Sequence, residues 1–148
     1  MEFLGNKVIL NHYKTGFLSS RKCAAEVVLK SYEWAKQQRA EGNCIVCGNH
    51  SQIEKDVFEI LLKGDQPLVL VLPRGLKYRW DKTWLNEIEK GRLLIVSPFA
   101  QEIKRVTREN AERKNETIIV LSDKIIIGYK SPQGQLDALM KNLEFNTV

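Results

Sequence analysis

Four residues between positions 44 and 56 have side chains that could do chemistry, namely Cys44, Cys47, His50 and Glu54. Two cysteines separated by two residues occur in zinc sites and redox-active thiol pairs, and they can equally be core residues. A zinc site needs two further ligands at suitable spacing, and the remaining Cys23, His12 and His50 make no second pair. The apolar pair between Cys44 and Cys47 predicts a buried strand with one cysteine on each face, so we expect core thiols and no metal.

His50 and Glu54 are the candidates for acid–base chemistry. His50 lies in a loop before a predicted helix, where it could hydrogen-bond a ligand, act as an acid or base, or serve only the turn. Ser51 and Glu54 have the spacing of a capping box, in which the serine caps a helix and the glutamate bonds back to the serine amide. This capping role is sufficient to explain the presence of Glu54. Catalysis by His50 or Glu54 is therefore expected only under the alternative hypothesis, in which the protein is an enzyme.

The elements that must position these residues alternate between short apolar runs and longer amphipathic ones. The short runs predict strands at residues 15–20, 44–47, 67–73, 92–99 and 124–129. The amphipathic runs predict helices at residues 23–42, 51–64, 82–91, 101–123 and 134–145. Runs such as "PLVLVLP" have no polar face, which is typical of strands buried on both sides of a parallel sheet. We therefore expect an α/β protein, a three-layer α/β/α Rossmann-like sandwich with a mostly parallel sheet of at least five strands.

Length and composition predict the class of protein. A chain of 148 residues is expected to form one domain over residues 1–148, with residues 1–15 as an N-terminal extension of uncertain structure. No apolar run is long enough to cross a bilayer and no signal peptide is evident, so we expect a cytoplasmic protein with no membrane partner. The net charge of +5 fits either a scattered surface or a patch for nucleic acid or nucleotide phosphate.

Small, hydroxylated and cationic residues directly follow the predicted strands. In parallel sheets ligands bind at the carboxyl ends of the strands, where glycine, helix amide groups and cations can hold an anion such as phosphate. Glycine, serine and proline are also ordinary turn residues, so this pattern alone leaves both readings open. The candidate ligand residues from this pattern are Ser20, Arg21, Lys22, Gly48, Asn49, His50, Ser51, Arg74, Pro98, Ser131 and Gly134.

Basic and aromatic residues are interleaved in "GLKYRWDKTW", residues 75–84. Tyr78, Trp80 and Trp84 could stack on unpaired bases beside the basic residues, or they could pack on the sheet at the start of a helix. The chain contains no GxGxxG, GxxxxGK[ST] or GxSxG motif, so neither the dinucleotide fingerprint, the P-loop nor the hydrolase elbow is present.

Four segments, taken in order, resemble the Rossmann-like core of the DNA-processing protein A (DprA/Smf) family. They are "FLSSRKC", "CGNHSQIEKDVFEILLKG", "GRLLIVSPF" and "RVTRENAERKNETIIVLSDKIIIGY", and the match covers about residues 16–129. The family has an Arg-Asn pair in the helix before its last strand, which resembles Arg113 and Asn115 here, with Lys114 between them. The resemblance therefore adds Arg113 and Asn115 to the candidate ligand residues.

The resemblance implies binding rather than chemistry. It implies a non-enzymatic module for a nucleotide, phosphate or single-stranded DNA, with a recombinase as a possible partner, a homodimeric state and no cofactor. The wider superfamily contains nucleotide sensors and phosphoribohydrolases, so an enzyme acting on a nucleotide glycosidic bond is the alternative. The phosphoribohydrolase loop has a threonine and a glutamate that "SPQGQLDAL" lacks, although Gly134 is kept.

Overall fold

A computed structural model describes residues 1–148 and contains one sheet of seven strands. The strands are β1 (Glu2–Gly5), β2 (Lys14–Leu18), β3 (Cys44–Cys47), β4 (Leu68–Val71), β5 (Leu93–Ser97), β6 (Lys124–Ile127) and β7 (Asn146–Thr147). Their order across the sheet is β1-β5-β4-β3-β2-β6-β7. Every neighbouring pair is parallel except β1 and β5, so the predicted mostly parallel sheet is confirmed.

Helices cover both faces of this sheet. They are α1 (Ala25–Glu41), α2 (Gln52–Leu62), α3 (Lys82–Glu89), α4 (Arg108–Leu121) and α5 (Gln135–Leu139). Residues of α1, α2 and α3 pack in one apolar core with one face of the strands. Residues of α4 and α5 pack in a second core on the other face, together with a short 3-10 helix at Lys7–Asn11. The three-layer sandwich is therefore confirmed.

The alternation of side chains along β3 divides its cysteines between the two cores. Cys47 lies in the core beneath α1 and α2, whereas Cys44 lies in the core on the α4 side. Burial raises the pKa of Cys44 to about 11 and raises that of Cys47 further. Both thiols are free and protonated at neutral pH, as expected of cysteines that act as small apolar residues.

The predicted and observed elements differ mainly at their ends. The helix predicted over 101–123 begins only at Arg108, because Thr107 caps it by accepting a hydrogen bond from the Asn110 amide. The preceding loop is held instead by the loop after β4, since the Gly75 amide donates to the Ile103 carbonyl at 2.7 Å. The last helix ends at Leu139, well before residue 145. The N-terminal segment adds an antiparallel edge strand that the sequence pattern did not reveal.

Arg92, just before β5, fixes the end of α2 from inside the protein. Its guanidinium is 7% exposed and donates to the carbonyls of Leu61 and Leu62 at 3.0 and 2.7 Å. Its Nε donates to the Gln66 carbonyl at 2.8 Å, and Nη1 also pairs with Glu87 at 2.8 Å. The last carbonyls of a helix have no partner within the helix, so this cation supplies one.

We expect Arg92→Ala to lower the free energy of unfolding by about 2–5 kcal/mol, because several carbonyls and Glu87 lose a buried charged donor. The matched control is Lys90→Ala, which removes a largely exposed lysine that pairs with the same Glu87 at 3.0 Å. An exposed pair contributes less than about 1 kcal/mol. Urea unfolding monitored by circular dichroism measures both variants, and equal losses would contradict the role given to Arg92.

Candidate functional site

The direction of the chain reverses across the sheet beside β2. From β2 the chain moves through β3, β4 and β5 in one direction, and then crosses back to β6 on the other side of β2. The loops that leave the carboxyl ends of β2 and β6 therefore diverge, and ligands of parallel sheets bind at such a point. A cleft of about 590 Å³ opens here, bordered by these two loops, by His50 after β3 and by the first half of α4.

Two serine hydroxyl groups join the loops that form the rim of the cleft. Ser19 Oγ accepts a hydrogen bond from the Tyr129 amide at 3.1 Å, and Ser20 Oγ accepts one from the Ser131 amide at 2.9 Å. The Ser20 amide in turn donates to the Tyr129 carbonyl at 2.7 Å. These bonds link the ends of β2 and β6, so the rim is formed before any ligand binds.

Three cations line the cleft without a carboxylate partner. Arg21 and Lys22 extend from the loop after β2, and Arg108 begins α4 on the opposite wall. All three are exposed, and none forms an ion pair with the protein. Their charges are therefore available to an anion in the cleft.

The floor of the cleft is a buried ion pair between Glu54 of α2 and Lys114 of α4. Lys114 Nζ lies 2.5 Å from Glu54 Oε2, and the two residues are 2% and 4% exposed. Glu54 Oε1 accepts hydrogen bonds from the amide and the hydroxyl of Ser51, both at 3.0 Å. A side chain at Gly48 would overlap Glu54 Oε2 and would lie 2.9 Å from Lys114 Nζ, so glycine there leaves room for the pair.

The charges around this floor set the protonation of Glu54 and His50. Burial by itself would raise the pKa of Glu54, but the Lys114 ammonium and the hydrogen bonds from Ser51 outweigh it and lower the pKa. Burial, followed by Lys114 and Arg21, lowers the pKa of the half-buried His50. At neutral pH the carboxylate is therefore charged and paired, and the imidazole is neutral.

The structure brings together only part of the predicted site. The predicted residues that line the cleft are Ser20, Arg21, Lys22, His50, Asn115, Ser131 and Gly134. Gly48 and Ser51 lie next to it and support Glu54, whereas Asn49 does not line it.

Arg74, Pro98 and Arg113 lie outside the cleft. Arg74 Nε donates to the Gly75 carbonyl, and the Arg113 guanidinium lies over the Phe99 ring at 5.6 Å from its centroid. The α4 residue that reaches the floor is Lys114, the residue that separates Arg113 from Asn115.

Lys114 and Arg108 are the cationic lining residues that the sequence pattern did not indicate. Residues 107, 108, 111, 114 and 115 have the spacing of one helical face, which was the available signal. The partner of Lys114 lies 60 residues away in the chain, so the local pattern could not show that a lysine would be buried.

The aromatic residues of the 75–84 segment divide between packing and exposure. Trp84 is 7% exposed and packs edge-on against Phe58, with the ring centroids 5.0 Å apart. Trp80 lies against Trp84 at 6.1 Å, whereas Tyr78 is 79% exposed. The tryptophans therefore pack at the start of α3, which is the structural alternative given above.

The structure has neither a cluster of metal-binding side chains nor a helix suited to spanning a membrane. It places no group of three or more His, Cys, Asp or Glu side chains where they could hold a metal ion. None of its helices has the length and apolarity that crossing a membrane requires. A second cavity of about 610 Å³ lies between α2 and α3, but its walls carry four carboxylates beside two lysines, which disfavours an anion.

Comparison with solved structures identifies the fold. DNA processing protein A (DprA) from Streptococcus pneumoniae superposes with a TM-score of 0.73 at 18% identity, covering 98% of this chain and 53% of that chain. DprA from Helicobacter pylori, solved for its single-stranded DNA binding mode, gives 0.66 at 20% identity, covering 84% and 58%. The molybdenum cofactor binding protein from Rippkaea orientalis gives 0.55 at 11% identity, covering 88% and 72%.

The chain therefore has a DprA-like fold, as the resemblance predicted, and it spans a little over half the length of the two DprA chains. The molybdenum cofactor binding protein shares the fold at a lower TM-score. No protein-family model matches the sequence. No curated protein sequence matches it either.

We expect Lys114→Met and Glu54→Gln each to lower the free energy of unfolding by about 3–5 kcal/mol, because each leaves a buried charge without its partner. The double variant Glu54→Gln/Lys114→Met removes both charges and should lose less than the sum of the two single losses. Lys30→Met is the control, since Lys30 pairs with Glu26 on the exposed face of α1. Chemical denaturation measures the four variants, and additive losses would mean that the two residues do not interact.

The lowered pKa of Glu54 also predicts how this stability depends on pH. A carboxyl group whose pKa falls on folding stabilises the protein above its ordinary value of 4.5, and the contribution is lost as pH falls through the folded-state pKa. The difference in unfolding free energy between the wild type and Glu54→Gln should therefore be constant above about pH 4.5 and shrink below it. Denaturant titrations at several pH values test this, and a difference that grows in acid would contradict it.

Proposed function

We propose that the cleft binds single-stranded DNA through its phosphate groups and does so without catalysing a reaction. The observation that carries this proposal is the set of three unpaired cations, Arg21, Lys22 and Arg108, around a preformed rim. Arginine and lysine side chains that lack protein partners supply the electrostatic part of nucleic-acid binding. The DprA of Helicobacter pylori, which has this fold, binds single-stranded DNA.

The chemistry of the floor supports binding over hydrolysis. Both carboxylate oxygens of Glu54 are engaged by Ser51 and Lys114, and the side chain is 4% exposed. A general acid or base must exchange a proton with the substrate, so this glutamate serves structure instead. The neutral His50 and the Ser20 hydroxyl remain able to donate hydrogen bonds to a phosphate oxygen.

The same cleft would accept the phosphate of a free nucleotide, so mononucleotides are its natural competitors. A role in recombination, a recombinase partner, a homodimeric state and a cytoplasmic location stay predictions from the sequence. The geometry of the cleft does not bear on any of these four predictions.

The double variant Arg21→Ala/Lys22→Ala is expected to weaken binding of a fluorescent oligonucleotide and to flatten its salt dependence. Each lost phosphate contact lowers the slope of log affinity against log salt by about 0.7 for a single strand, so two contacts give a change of about 1.4. Fluorescence anisotropy during a salt titration measures affinity and slope together. Nucleoside monophosphates added to the same mixtures test competition, and analysis of their products tests for turnover.

The control is Lys63→Ala/Lys124→Ala, which removes two exposed, unpaired lysines near the amino ends of the strands. It lowers the net charge equally and should leave most of the affinity and the slope intact. Binding by Arg21→Ala/Lys22→Ala that matched the wild type in affinity and slope would overturn the proposed site.

A further inference from the structure

We propose that the loop after β4 forms a second contact with the same DNA strand, in which Tyr78 stacks on an unpaired base while Lys77 and Arg79 hold the adjoining phosphates. This inference rests on the proposed function, because the strand is held first by the cations of the cleft. The three residues of the second contact lie outside the cleft. They therefore determine how long a strand the protein engages.

Tyr78 presents its ring to solvent to an unusual degree. It is 79% exposed, the highest value among the large hydrophobic residues that lie on the surface of the protein. Its ring packs on no other aromatic ring, whereas Trp80 and Trp84 of the same segment pack together. Surfaces that bind single strands combine such free rings with cations, because every base has a face that can stack and every nucleotide has a phosphate.

The loop is anchored to the rest of the protein on both sides of this ring. Before it, the Gly75 amide donates to the Ile103 carbonyl at 2.7 Å. A side chain at Gly75 would lie 2.1 Å from the Ala100 carbonyl oxygen, so glycine allows this close approach of the two loops. After it, Trp80 lies against the buried Trp84. The segment that carries the ring is therefore ordered before a ligand binds, which reduces the conformational freedom lost on binding.

The charges around the ring favour an anionic ligand. Lys77 and Arg79 flank the tyrosine in the chain, both are exposed, and neither forms an ion pair. Lys82 follows at the start of α3, so residues 77–82 have three cations against the single carboxylate of Asp81. A nucleic-acid strand supplies phosphates for these cations and a base for the ring, and so uses both kinds of group.

This surface lies on the same edge of the sheet as the cleft. Strands β2, β3 and β4 are neighbours and parallel, so the loops that leave their carboxyl ends share one edge. Two strand spacings separate β4 from β2, which is about 10 Å. A strand whose phosphates lie against Arg21 and Lys22 therefore reaches Tyr78 only when it extends past β3, so the second contact should act on long strands and not on short ones.

The test compares two fluorescent oligothymidylates of about 4 and about 16 nucleotides, which span the range of single-strand site sizes. Tyr78→Ala should weaken binding of the longer strand about five- to tenfold, through the loss of one stacked base, and leave binding of the shorter strand unchanged. Tyr78→Phe should bind both strands like the wild type, because stacking needs the ring and not the hydroxyl group. Lys77→Ala/Arg79→Ala should lower the slope of log affinity against log salt by about 1.4 for the longer strand alone. Fluorescence anisotropy measures all of these.

The matched control is Tyr13→Ala, which removes another exposed tyrosine, 69% exposed and just before β2 at the opposite edge of the sheet. It should leave binding of both strands unchanged, and thermal unfolding checks that each variant is folded. Arg21→Ala/Lys22→Ala should weaken both strands.

The outcomes separate the two proposals. Wild-type affinity of Tyr78→Ala for the longer strand, or equal weakening of both strands by this variant, would overturn the second contact and leave the cleft standing. Failure of the wild type to bind either strand would overturn the proposed function, and the second contact with it.

Discussion

The ion pair between Glu54 and Lys114 is the interaction on which the cleft depends. Glu54 belongs to α2 on one face of the sheet and Lys114 belongs to α4 on the other, so their contact passes across the carboxyl end of β3. Gly48 directly follows that strand, and its lack of a side chain leaves the space in which the two charges meet. Ser51 then binds the second oxygen of Glu54, so the start of α2 is fixed by the same carboxylate. One buried pair thus sets the relative position of two helices and a loop.

This pair also determines the electrostatic character of the cleft. Glu54 is the only carboxylate among the lining residues, and Lys114 neutralises it. Without that neutralisation, a buried negative charge would face any phosphate that approached Arg21 or Lys22. With it, the exposed cations Arg21, Lys22 and Arg108 face the cleft with no uncompensated negative charge among the lining residues. Burial and then the same lysine lower the pKa of His50, so this imidazole is neutral at physiological pH.

The sequence correctly predicted those features that depend on residues close together in the chain. The all-apolar strands, the capping box of Ser51 and Glu54 and the placement of Cys44 and Cys47 in opposite cores follow from periodicity and from short-range hydrogen bonds. Contacts between distant segments were beyond such signals. The burial of Lys114 depends on Glu54, 60 residues away, and the edge strand β1 depends on pairing with β5. The displacement of Arg113 onto Phe99 has the same origin, since the rotation of α4 that buries Lys114 turns its neighbour outward.

The commitment of Glu54 to structure bears on what the cleft can do. A carboxylate that is 4% exposed and held by a lysine, an amide and a hydroxyl is stabilised in its charged form, so its protonation costs the whole of that network. Acid–base catalysis needs a group whose two protonation states are close in free energy at the working pH. The contacts through which Glu54 fixes the positions of α2 and α4 therefore make it a poor acid–base catalyst. The preformed rim favours binding, because the hydrogen bonds of Ser19 and Ser20 order the loops before a ligand arrives, so the protein loses little further conformational freedom on binding.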